Sequence, residues 1–187
     1  MSNTSAIPGF STPAAGPEAP LEMLAVCHQR GARQCATLRR LVPHLAATGG
    51  DEQTRSAATS VMRYFDKSAV DHFADEERDL FPALLESMAG SDAVCLREMI
   101  AGLTADHRDL EAAWLRARAV LVQVAAGEPA PRAAQAIDAL VTRYERHMAR
   151  EDDELMPMAA RLLGQAALEN IGRAMRERRG IDGPKRS

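Results

Sequence analysis

The residues from His72 to Pro82 and those from His147 to Pro157 share one pattern, His-x-x-x-Glu-acid-x-acid-Leu-hydrophobe-Pro, 75 positions apart. In each copy an imidazole stands four residues before a carboxylate. On a helix, both then lie on one face with Cβ atoms roughly 6 Å apart. One such pair is commonplace. Two in the same frame suggest two helices presenting the same chemistry to a shared point. Imidazole and carboxylate together form the ligand set of a borderline or hard cation, so a metal site is the first chemistry the sequence suggests.

The chain has 187 residues, enough for one domain with a full core, and is 46% hydrophobic and 26% charged. Aromatics are only 4%, while Ala, Leu, Met, Arg and Glu dominate and β-branched residues are sparse. These are helix formers, and the fold class expected is all-α. A net charge of -3 offers no global positive field for nucleic acid. No apolar stretch approaches the ~18 residues of a membrane span, and no basic segment leads into an apolar run as in a signal peptide. Cys27, Cys35 and Cys95 form no paired motif; they read as reduced thiols, mostly buried small hydrophobes, in a cytoplasmic protein.

Residues 1–17 are rich in Ser, Pro, Gly and Ala and read as a mobile tail. A first helix is expected from Leu21 to about Leu45, kinked near its end by Pro43 and closed by Gly49-Gly50. Asp51 is an N-cap candidate for a second helix running to about Met88. The Asp66-Lys67-Ser68 stretch is placed to break it, and Pro82 to bend it. A third helix fits residues 93–125 and a fourth 132–163. The expected architecture is an up-down-up-down four-helix bundle over 18–164. Residues 165–187 should form a short helix and a frayed tail. The basic stretch Arg173–Arg179, with Lys185 and Arg186, reads as a solvated helix end or a phosphate-binding tail.

On these helices His28, His72, His107 and His147 fall one per helix, the economical way to converge ligands in a bundle core. His44 lies sixteen residues past His28, roughly 24 Å along the same helix, and reads as a surface residue. The spacings His28 to His72 (44 residues) and His107 to His147 (40 residues) suggest two similar helical hairpins. Each carries a lone histidine and then a His-x-x-x-Glu. Pseudo-twofold symmetry would make a two-metal site natural.

With these residues the chain resembles the hemerythrin-like, or HHE cation-binding, proteins over about Leu21 to Gly164. The resemblance implies a four-helix bundle holding two non-haem iron ions joined by an oxo or hydroxo group. It implies His28, His72, His107 and His147 as terminal ligands, and Glu76 and Glu151 as bridging carboxylates. Ferritin-like bundles use Glu-x-x-His instead, which is absent here.

The oxygen carriers of the family have His-x-x-x-His on the third helix, where this chain has His107-x-x-x-Glu111. Glu111 is then a substitute ligand, a hydrogen-bond partner of a ligand histidine, or a surface residue, and reversible oxygen carriage is not expected. The function implied is binding of a small diatomic ligand, dioxygen or nitric oxide, for sensing, storage or detoxification. The competing readings are a diiron enzyme (peroxide or oxygen reduction, or iron delivery for iron–sulfur repair) and a metal-free helical interaction module. Glu77, Asp79, Asp152, Asp153 and Glu154 read as solvated charges or as partners of the ligands. Trp114, Tyr64 and Tyr144 read as core residues or as groups lining the site.

Overall fold

The computed structural model describes residues 19–88 and 92–181. The expected N-terminal tail lies outside these residues, as do Lys185 and Arg186.

Helix α1 spans Pro20–Thr48, with a proline in its first turn, where a missing N–H costs nothing. It closes at Gly49, whose φ of 71° suits glycine and whose N–H donates to the Leu45 carbonyl. Asp51 caps the next helix, as expected: its carboxylate accepts the Thr54 N–H at 2.8 Å. The second long helix is one run of α2 (Glu52–Arg63), a wide π turn π1 (Tyr64–Ala69), α3 (Val70–Asp75), a second π turn π2 (Glu76–Leu80) and α4 (Phe81–Ser87). The expected break at Asp66–Ser68 is therefore a widening, not an interruption. The third long helix is α5 (Asp92–Ala126), and the fourth is α6 (Ala133–Arg150), π3 (Glu151–Leu155) and α7 (Met156–Leu162). A short helix α8 (Gln165–Arg178) follows.

Each long helix packs on the next, and the fourth returns to the first, which makes the all-α bundle with its C-terminal helix. Gly31 lets α1 and α6 approach closely, because a Cβ there would lie 2.7 Å from the Tyr144 ring.

Two apolar clusters fill the interior. One includes Leu38, Val61, Phe65, Leu121 and Ile137; the other includes Leu24, Leu84, Leu96, Leu103 and Met175. Each fully buried side chain of this kind contributes roughly 1.5–3 kcal/mol. Along each long helix, the histidine singled out from the sequence lies between a residue of one cluster and a residue of the other. The apolar ends of the bundle thereby hold a polar layer dry.

Candidate metal centre

The two π turns π2 and π3 begin at Glu76 and Glu151. Local chemistry explains them. Pro82 and Pro157 have no N–H, and in an α-helix their rings would press on the carbonyl four residues back. The chain widens instead: the Phe81 N–H reaches the Glu76 carbonyl, and the Met156 N–H reaches the Glu151 carbonyl, both five residues back. Successive i, i+4 residues on a regular helix drift by about 40°. The wide turn offsets that drift. His72, Glu76 and Leu80 thus all face inward, at 2%, 0% and 0% exposure, as do His147, Glu151 and Leu155.

Six side chains meet in the polar layer as two groups, His28–His72–Glu76–Glu151 and Glu76–His107–His147–Glu151. The atoms that each group offers lie within 4.8 Å of one another. Both groups use both glutamates, and each glutamate turns one oxygen to each side. Glu76 Oε1 lies 3.4 Å from His72 Nε2, and its Oε2 lies 3.3 Å from His107 Nε2. Glu151 Oε2 lies 3.3 Å from His28 Nε2, and its Oε1 lies 3.2 Å from His147 Nε2. Metal–ligand bonds of roughly 2.1 Å would set neighbouring ligand atoms about 3 Å apart, close to these separations.

The partners on the far sides of the imidazoles fix which nitrogen faces in. His28 Nδ1 is 2.6 Å from Asp152, and His107 Nδ1 is 2.7 Å from Glu77. These contacts suit Nδ1–H donors, leaving Nε2 as the inward lone pair. The carboxylates come from the residues that directly follow Glu151 and Glu76, so each motif supplies a bridging-competent glutamate and a support for a histidine on another helix. By contrast, all four oxygens of Glu76 and Glu151, and the Nε2 atoms of His28, His107 and His147, are buried without a hydrogen bond. These seven atoms fit cations at two points, which would satisfy the seven together; the Nδ1 atoms of His72 and His147 are buried without a hydrogen bond as well.

The imidazoles and carboxylates of the polar layer shift one another's pKa. Burial opposes a charge on His28, but Glu151, Glu76 and Asp152 outweigh it and push its pKa up to about 11. Burial likewise opposes a charge on His107, and Glu151, Glu76 and Glu77 raise it to about 10. Burial and repulsion from Glu151 work against ionised Glu76, yet His72, His107 and His28 hold its carboxyl below the usual range. Burial also opposes ionisation of Glu151, and His107, His147 and His28 hold it lower still. Burial lowers His72. The carboxylates around them thus favour the charged form of both imidazoles, and the imidazoles favour the charged form of both glutamates.

The profile of the Hemerythrin HHE cation binding domain matches residues 19–159. The chain belongs to this family. A Haemophilus influenzae relative, described as an uncharacterized protein, is 27% identical over 162 residues, covering 87% of this chain and 91% of its own.

In this hemerythrin-domain chain, the four histidines and two glutamates that the resemblance implies as ligands converge, whereas Glu111 does not join them. It is exposed and pairs with Arg108 at 2.7 Å. Arg108 also pairs with Glu77, the partner of His107. Glu111 is thus separated from the imidazole by two ion pairs. His44 sits apart and pairs with Asp51 at 2.9 Å. Tyr144 is buried, Tyr64 donates to the Cys27 carbonyl at 3.4 Å, and Trp114 donates to Asp66 at 3.1 Å. Trp114 stacks on Phe65, and Phe73 stacks on His107.

The cysteines are free, but only Cys35 is buried; Cys95 is exposed. The basic stretch is neither a solvated helix end nor a phosphate-binding tail at Arg178 and Arg179, which are largely buried in ion pairs with Asp75 and Asp79. No local pattern singles out Asp75: its partners lie 103 and 104 residues away. No helix among the described residues is long and apolar enough to cross a membrane.

Proposed function

We propose that the polar layer holds two iron ions. His28, His72, Glu76 and Glu151 would hold one, and Glu76, His107, His147 and Glu151 the other, so that both glutamates would be shared. The observation that carries this reading is the set of buried, unpartnered donor atoms arranged as two groups with two shared carboxylates. Four imidazoles and two carboxylates leave coordination positions open on such a pair. Bound iron would supply redox-active Lewis acidity toward a small ligand.

The ligand we propose is dioxygen or nitric oxide, bound for sensing, storage or detoxification. A cavity of about 30 Å³ supports that size and polarity; Phe65, Ala69, Phe73, Leu110, Leu140 and Tyr144 are among its lining residues. This exceeds the roughly 10–15 Å³ that one water-sized molecule needs, and the mostly apolar lining, which also includes Glu111, favours an uncharged molecule over an ion. Phe73 lies between this cavity and the His107 ring. Free cysteines support a reducing, cytoplasmic setting.

The protein's own groups do the positioning. Asp152 and Glu77 hold His28 and His107 in the ligating tautomer. The apolar clusters on both sides exclude water. The test is anaerobic loading with ferrous iron, followed by optical spectra on adding nitric oxide or dioxygen. New bands in the iron-loaded protein alone are expected. Unchanged spectra with both gases would contradict the ligand assignment.

A further inference from the structure

Helix α8 lies beyond the family match, which ends at residue 159, yet it seats itself on the polar layer. It packs on α1, α3 and π2 through buried Ile171, Gly172 and Met175. At its end, Arg178 and Arg179 converge on Asp75, whose side chain is 0% exposed. Arg179 donates to Asp75 Oδ2 at 2.5 Å and to Oδ1 at 3.0 Å. Arg178 donates to Asp75 Oδ1 and also to Asp79 Oδ2, the latter at 2.7 Å.

A carboxylate this buried is strongly disfavoured without opposite charge, and two guanidinium groups supply it. Asp75 directly precedes Glu76, and Asp79 lies within π2. The two arginines therefore grip the turn that carries Glu76 from both of its ends. The second motif has no equivalent: at the position of Asp75 stands Arg150, 33% exposed and paired with Asp106 and Glu154.

We propose that Asp75, Arg178 and Arg179 are positioning residues for Glu76. They pin α8 across the first motif and fix the wide turn from which Glu76 faces both metal positions. This rests on the metal-centre reading above. The test uses the full chain carrying Arg178→Ala with Arg179→Ala.

In the metal-free protein, hydrogen exchange should quicken roughly tenfold or more at α8 and at π2, as local opening does, and stay unchanged at π3. Cobalt(II) titration should give visible absorption bands that differ from wild type, and Arg178→Lys with Arg179→Lys should restore them, because the positive charges remain. Faster exchange confined to α8, with wild-type cobalt bands, would overturn the proposal by making α8 an appendage. Equal acceleration of π2 and π3 would also overturn it, since the pairs would then act only on global stability. If wild-type protein binds no cobalt, the metal-centre reading falls and the role given to Glu76 falls with it. The exchange pattern still judges separately whether the arginines hold π2.

Discussion

The two motifs contribute identical inward groups and matched supports, Glu77 and Asp152, and differ in their other outward residues. His72 and His147, Glu76 and Glu151, Leu80 and Leu155 superimpose in role, burial and wide-turn geometry. Outside, the first motif has buried Asp75 under two arginines, and the second has half-exposed Arg150 over Gly102. The first has Phe73 stacked on His107, where the second has Met148. The shared pattern covers the inward face and the acidic residue after each glutamate, which supports a histidine on another helix. The outer face is where the two halves acquire separate duties.

The largest effect should come from breaking what the halves share. Glu76→Ala and Glu151→Ala each remove a carboxylate that faces both positions, so either should lower bound iron from about two per chain to near none. Metal analysis after gel filtration reads this directly. A variant that keeps one tightly bound iron would show that its glutamate serves a single side.

Next come the supports. Glu77→Gln and Asp152→Asn should each weaken metal binding by about 10–100-fold, measured by competition with a chelator. Equal losses would confirm that the halves match at this level. A loss in one variant alone would split them.

Protonation should follow the shared carboxylates. His28 and His107 have pKa values raised to about 11 and about 10, above their unfolded value. Their stabilisation of the metal-free fold is complete below about pH 6.5 and is lost as pH rises through 10 to 11. The melting temperature of the metal-free protein should therefore fall across that window. Because imidazoles must be neutral to ligate, loading near pH 7.5 should release about two protons per chain. Calorimetry in buffers of different ionisation enthalpy measures this, and a release of none would contradict the charge assignment.

The smallest effect belongs to Glu111, which lies outside both motifs. Glu111→Ala should change stability by less than about 0.5 kcal/mol and leave the metal content unaltered.

The bundle and the inward His and Glu of each motif were legible because helical spacing is short-range: four residues place His72 beside Glu76 whatever the rest of the chain does. The supports were less legible. Glu77 and Asp152 sit in acidic runs where spacing alone does not say which carboxylate turns back toward a neighbouring helix. That choice depends on the wide turns; Pro82 reads from the sequence only as a bend, and Pro157 falls inside the expected fourth helix. Asp75 was invisible for another reason. It looks like one more surface charge until α8 folds back and brings Arg178 and Arg179 onto it.

The central claim, two cations joined by two carboxylates, is tested most directly by anaerobic titration of the metal-free protein with ferrous iron. The titration is followed by Mössbauer and magnetic measurement of the oxidised product. Saturation at about two irons per chain, with the two ferric ions magnetically coupled, is the predicted result. Saturation at one iron, or two ferric ions without magnetic coupling, would contradict it.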